Sequence, residues 1–176
     1  RGFWRLHELF EEKKIPITIF GVGMALEKNQ DVCNALKKSN YEIASHGWRW
    51  IDYQNISRNV EKKHMQLAIQ SIKKIFGKRP LGWYTGRCSP NTRDLVMEEG
   101  GFLYDSDSYS DDIPYWEVRG KKKQLIIPYT LDNNDMRFAT NQGFNSGDQF
   151  YTYLKDSFDS LYSEGTKEPK MMSVGL

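Results

Sequence analysis

Cysteine is scarce in this sequence: Cys33 and Cys88 are the two present in 176 residues. So few, so far apart, exclude a disulfide framework or a zinc knuckle and favour two free thiols in a reducing compartment, hence a cytoplasmic protein. An excess of one charge sign is also lacking. Lys and Arg number 25 against 23 Asp and Glu, a net charge of +2. No basic surplus points to nucleic acid as a partner. Long hydrophobic runs are missing as well. Nothing nears the ~18 apolar residues of a membrane span, and no signal peptide opens the chain, so no membrane partner is expected. Histidine is limited to His7, His46 and His64, with no H-x-x-x-H or H-E-x-x-H pair, so a self-contained zinc site is not written here. Gly21-Val-Gly23 lacks the rest of the phosphate-binding fingerprint, and no G-x-S-x-G elbow occurs.

What is present can build a core: 39% of residues are hydrophobic and 14% aromatic. The length suits one domain and falls short of a complete eight-fold barrel of roughly 250 residues. Apolar residues at helical spacing (Phe3, Leu6, Leu9, Phe10) predict a helix over residues 1–14, which Pro16 separates from a buried strand at 17–21. A helix over 30–39 and a strand over 41–45 follow. Ser57 and Gly77 bracket a long helix whose expected apolar face is Val60, Met65, Leu67, Ile69, Ile72 and Ile75. Further strands are expected at 80–86, 102–104 and 124–128, with a short helix after Asn91 or Thr92 that stops at Gly100-Gly101. Lys121-Lys-Lys123 reads as a solvated hairpin tip. The long polar loop 130–147 suits a functional loop, a last helix spans 148–163, and residues 171–176 begin a strand. Strand–helix–strand alternation at this spacing argues for a parallel α/β sheet or barrel. The chain starts with Arg1, not Met, as if cut from something longer.

In a parallel α/β fold, reactive side chains gather where strands end. His46 follows the apolar strand 41–45 and precedes a glycine. Arg87 lies between Gly86 and Ser89-Pro90, held close to the backbone. Asp105 and Asp107 are two apart and share a face of an extended segment, with turn formation as the equal alternative. Asp111-Asp112 is read as loop solvation, and His7 and His64 as surface positions. The polar stretch 132–137 ends the series. One His, one Arg, several carboxylates and aromatic walls would form a polar pocket.

At these residues the chain resembles the polysaccharide deacetylase (NodB-homology) superfamily: Tyr41-Glu-Ile-Ala-Ser-His46-Gly, then Gly86-Arg87, then Tyr104-Asp105-Ser106-Asp107, in that order. Finer features are similar to one branch, the cofactor-independent allantoinases, also described as urate-catabolism proteins. They are Ser45-His-Gly-Trp48-Arg-Trp50-Ile-Asp-Tyr-Gln54, Gly82-Trp-Tyr-Thr-Gly-Arg87, the run from Asp105 to Trp116, Asn141–Phe150 and Lys170–Leu176. The resemblance spans essentially the whole chain. It implies an α/β fold, a distorted (β/α) barrel of NodB type with about seven strands when complete, truncated at both ends here, so that residues 1–176 are a single incomplete domain.

Carried across by the resemblance, His46 matches the first histidine of the superfamily's metal motif, and the second, four residues on, is Trp50. The metal site is therefore broken, no cofactor is expected, and His46 is the only retained candidate ligand. Arg87 matches the arginine that orients the catalytic carboxylate. Asp105, Asp107 and Trp116 fall in the segment that supports the active site. Tyr41 stands where the family has histidine. The family's catalytic aspartate and general-acid histidine fall outside this sequence.

The implied chemistry is hydrolysis of a carbon–nitrogen bond in a cyclic amide such as allantoin. Arg87, His46 and Asp107 are the expected catalytic groups; Trp48, Trp50, Asp105 and Trp116 are the expected substrate contacts. Two rival readings stay open. One is a metal-dependent N-deacetylase of sugars, with a divalent metal such as zinc. The other is a catalytically inactive remnant. The substrate is accordingly a small ureide or an N-acetylated sugar. A piece with these ends would expose sheet edges and is expected to be poorly stable or a homo-oligomer.

Overall fold

A computed structural model describes residues 2–176 of the chain. Helix α1 (Gly2–Lys13) turns Phe3 and Phe10 toward a hydrophobic core, but leaves Leu9, expected inside, exposed to water. Residues Arg1–Asp105 form one compact unit and Ser106–Leu176 a second.

In the first unit, strands β1 (Thr18–Gly21), β2 (Glu42–Ser45), β3 (Gly82–Trp83) and β4 (Tyr104–Asp105) pair in that order, all parallel. Between them run α2 (Gly23–Lys28), α3 (Gln30–Lys38), α4 (Arg58–Phe76) and α5 (Thr92–Glu99). Leu26, Cys33, Leu36, Tyr41, Ile43 and Ile72 make one buried cluster; Met65, Trp83, Leu95, Val96 and Phe102 make another. Both join helix faces to strands, the arrangement a parallel sheet needs to hide its apolar surface. Cys33 and Cys88 are free thiols, and Cys33 donates from its buried Sγ to the Leu26 carbonyl at 3.1 Å.

Several expectations are met and several shift. Gly77 closes α4 in the left-handed conformation, its N–H donating to the Lys73 carbonyl at 2.9 Å. The inward face of α4, however, is Glu61, Met65, Ala68, Ser71 and Ile72, while Val60 is exposed. The strand expected over 80–86 shrinks to two residues, because Pro80 has no N–H to give and Gly86 turns the chain at φ 70°. The short helix α2 had no capping residue to announce it.

At the lower edge of the sheet, Glu42 accepts hydrogen bonds from Thr18 Oγ1 on β1 at 2.9 Å and from the Tyr104 hydroxyl on β4 at 3.0 Å. The Tyr104 ring crosses β3 where Gly82 sits. Any Cβ there would lie 2.1 Å from that ring, so only glycine fits. Burial and the Glu42 carboxylate push the Tyr104 hydroxyl far above its usual pKa.

The second unit holds an antiparallel hairpin, β5 (Tyr115–Arg119) and β6 (Lys122–Ile126), in register from Tyr115↔Ile126 to Arg119↔Lys122. Gly120 turns it at φ 61°. Lys121 is at the tip as expected, but Lys122 and Lys123 belong to the strand, and Tyr115 and Trp116, at the end of the run from Asp105, open β5. Residues 130–147 contain a short 3₁₀ turn (Asp135–Ala139) and lead into α6 (Gly147–Glu164), whose Ser146 cap accepts from the Gln149 N–H at 3.3 Å. There Arg137 lies over the rings of Phe144 and Tyr153, at 4.6 and 4.7 Å, within a cluster that includes Phe138 and Phe150. The stretch expected as a strand at 171–176 keeps a single bridge, Asn134 with Gly175. Among the described residues, no helix is long and apolar enough to cross a membrane.

Candidate active site

Parallel pairing sends β1, β2 and β3 out of the sheet along one edge, and the ladder continues one step past each end. His46 N–H donates to the Gly21 carbonyl at 2.9 Å, and Tyr84 N–H to the Ser45 carbonyl at 2.9 Å. The His46 and Tyr84 rings therefore meet, 5.0 Å apart, and Phe20 also packs on Tyr84, at 5.2 Å. Tyr84 was not singled out in the sequence, although its position two residues before Gly86 puts it at the same strand end.

Gly47 follows at φ 72°, a conformation that disfavours side chains, and turns the chain sharply after His46. The turn is tied back by Gly23 N–H to the Gly47 carbonyl (2.9 Å) and Met24 N–H to the Trp48 carbonyl (3.1 Å). Trp48 packs over Gly23, so its ring is half-buried in the wall of the unit. Trp50 is different: 65% exposed, its ring lies 4.7 Å beneath the guanidinium of Arg87. An open depression of about 410 Å³ borders it, lined also by Val22, Met24, Arg49 and Ile51.

His46 is half-buried, and that burial moves its pKa below the usual 6.5. A neutral imidazole at pH 7 follows. Its Nδ1 is buried and meets no hydrogen-bond partner among the described residues. A buried polar atom without a partner costs stability, and such atoms concentrate at functional sites.

Arg87 is anchored by its backbone, not its side chain: its carbonyl accepts from the Tyr53 N–H at 3.1 Å. Tyr53 is buried, and its hydroxyl shares a 3.1 Å hydrogen bond with Nδ1 of His64, so His64 is half-buried and partnered, not a surface position. Burial, aided by Glu61, pushes the Tyr53 hydroxyl to about 12. His7 departs from the surface reading in the same way, stacked on Phe3 and within 3.5 Å of the Tyr41 hydroxyl.

Asp105, expected to touch substrate, is fully buried and ion-paired with Arg93 at 2.7 Å. Its carboxylate fastens β4 to α5, because a charge that deep requires a partner. Asp107 and Trp116 belong to the second unit. Asp107 is half-buried beside Ser108, whose hydroxyl meets that of Tyr115 at 2.9 Å, while Trp116 is exposed beneath Lys123. Asp112 is not mere loop solvation: Lys170 pairs with it at 3.2 Å and holds its carboxyl below the ordinary range. First-unit geometry thus brings His46, Trp50 and Arg87 to one edge.

The residues at this edge offer few donors for the metal motif that the resemblance suggests. Trp50 stands four residues after His46, and Asp105 is committed to Arg93. The described residues contain no group of three His, Cys, Asp or Glu able to hold a metal ion. These residues by themselves do not complete a metal site.

A parallel α/β sheet with His46, Trp50 and Arg87 on the turns at one strand edge defines a class in which functional residues sit on βα loops. Comparison with known proteins narrows that class. The family model for polysaccharide deacetylase matches residues 2–98. A Schizosaccharomyces pombe protein described as a polysaccharide deacetylase is 42% identical across 99% of this chain. The crystal structure of PuuE allantoinase superposes with a TM-score of 0.95 at 57% identity, and that of a Pseudomonas aeruginosa PAO1 protein described as a polysaccharide deacetylase with 0.96 at 56%, each over 99% of the chain. The chain belongs to the polysaccharide deacetylase family and has its NodB-type α/β fold. It spans 60% of the length of the yeast relative and 59% of each of the two structures.

Proposed function

We propose that the protein hydrolyses the cyclic amide of a small ureide such as allantoin without a metal. The observation that carries this is the pair formed by Trp50 and Arg87. Where the superfamily resemblance calls for a second metal-binding histidine, an indole supports a guanidinium at 4.7 Å. An exposed flat ring beneath a planar cationic fork suits a planar, hydrogen-bonding substrate. The likeness to PuuE allantoinase at 57% identity supports the same reading.

Amide hydrolysis adds water to the carbonyl carbon, breaks the C–N bond and delivers a proton to the departing nitrogen. Arg87 orients the carboxylate that draws a proton from the attacking water, or the substrate carbonyl, and its positive charge favours the oxyanion as it develops. Neutral His46, whose ring is half-buried, presents the accessible part of its imidazole to the ureide. Trp50 provides the stacking surface, and Trp48, fixed against Gly23, backs the turn. The roles expected for Asp107 and Trp116 rest on the sequence resemblance, and Asp105 passes from substrate contact to internal support.

A second reading, N-deacetylation of a sugar with a divalent metal, is favoured by the two relatives described as polysaccharide deacetylases. Turnover of allantoin by the full-length protein with a chelator present separates the two. Activity that survives the chelator supports the first; activity on N-acetylated sugar that the chelator abolishes replaces it with the second. Arg87→Ala is expected to lower kcat about 100-fold, and unchanged turnover would remove the role given to that arginine.

A further inference from the structure

The loop that carries Arg87 is fastened by a buried carboxylate that the proposed mechanism does not use. Glu61, in the first turn of α4, is 3% exposed. Its Oε2 accepts from the Ser89 hydroxyl at 2.6 Å, and its Oε1 accepts from the Thr92 hydroxyl. Both hydroxyls are also acceptors. Ser89 Oγ takes the Asn91 N–H at 2.9 Å, and Thr92 Oγ1 takes the Ser89 N–H at 2.8 Å. The network closes on itself: each hydroxyl proton points at the carboxylate, and each hydroxyl lone pair is filled by a loop amide. On the other side, the Arg87 carbonyl accepts from the Tyr53 N–H and the Cys88 carbonyl from the Gln54 amide at 2.8 Å.

We propose that Glu61 is a positioning residue for Arg87, holding the turn 87–92 so that the guanidinium stays over Trp50. The inference rests on the role proposed for Arg87. Exposed Arg87 has no buried wall of its own, so its place is decided by the backbone from which it projects. That backbone is rigid because charge-assisted hydrogen bonds in a water-poor setting are stronger than neutral ones. A small misplacement of a catalytic group lowers the rate steeply without disturbing the fold.

The test uses the full-length protein, with allantoin as substrate and hydrogen exchange as a second readout. In Glu61→Gln, the Tyr53 and Asn91 amides are expected to lose protection. In the same variant kcat falls about 10-fold, while KM stays close to the parent value. Combined with Arg87→Ala, it should lower kcat no further than Arg87→Ala alone, since two residues acting through one interaction do not add. If Glu61→Gln does not fold, Ser89→Ala and Thr92→Val each remove one hydrogen bond to the carboxylate and carry the same expectations. Unchanged exchange at Tyr53 and Asn91, unchanged kcat while Arg87→Ala is slow, or losses that multiply in the double variant would each overturn the proposal. Should Arg87→Ala itself be silent, the reading of Arg87 falls, and exchange at Tyr53 alone decides whether Glu61 fixes the loop.

Discussion

The two units of the chain are held together by different physics. Residues up to Asp105 are organised around two buried clusters where aliphatic faces of four helices meet strands, and charges inside, Glu61 and Asp105, are fully engaged. Residues from Ser106 onward bury few large side chains, Ile126 and Phe144 among them, and no residue of α6 is buried. Their cohesion comes from tilted and edge-to-face rings around Arg137, hydroxyl pairs such as Thr130 with Ser173 at 3.1 Å, and the Lys170 ion pairs. Area removed from water is worth roughly 25 cal/mol per Å², whereas exposed polar contacts are each worth little. The first unit is therefore expected to set the stability of the chain. The turns bearing His46 and Arg87 are accordingly mounted on its better-packed part.

The strongest way to challenge this contrast is to strand a charge inside the first unit. Arg93→Ala leaves the Asp105 carboxylate buried without its 2.7 Å partner, and a loss of about 3–5 kcal/mol in denaturant unfolding is expected. A loss under 1 kcal/mol would show that the pair is not the buried support described. Acidification comes next. Burial holds both His46 and His64 below 6.5, so the folded state prefers them neutral. The unfolded chain takes up these protons first as pH falls. Melting temperature should therefore be flat above about pH 6.5 and decline below it, and His64→Asn together with His46→Asn should flatten the decline. A protein whose stability rose on acidification through that range would contradict the burial of both rings. The smallest effect is expected in the second unit. Lys170→Met, which removes partly exposed pairs with Asp112 and Glu164, should leave the denaturant midpoint almost unchanged. A marked fall would mean that polar contacts hold the second unit as firmly as apolar burial holds the first.

Much of the fold could be read from the residues, and the gaps have physical causes. The long helix ending at Gly77, the parallel pairing of the sheet and the placing of His46 and Arg87 after strand ends all follow from periodicity and turn chemistry. Glu61 escaped because a charged residue on a helix is assigned to solvent by default. Yet stepping back from Ile72, Ala68 and Met65 at helical spacing lands on Glu61, and this was the available signal. At Asp105 an acidic residue at a strand end invites reading as a site residue. Only packing reveals that Arg93, from the helix before it, occupies the carboxylate. The hairpin strand β5 was hidden by Asp111, Asp112 and Pro114, which favour turns. His7 and His64 looked solvated among charged neighbours, and each finds a tyrosine, Tyr41 or Tyr53, that lies far off in sequence.

The Glu42 contacts at the lower edge of the sheet carry a further consequence for how the chain finds its structure. One carboxylate receives Thr18 from the first strand and Tyr104 from the fourth, with the Tyr104 ring passing over the bare backbone of Gly82. A slip of one residue in any of those strands would turn one of these side chains to the opposite face and leave Glu42 short of a partner. The arrangement works as a checksum on strand alignment, satisfied only when every strand is in place. It lies at the edge away from His46 and Arg87, so the turns at the chemical edge can be rewritten without corrupting the count.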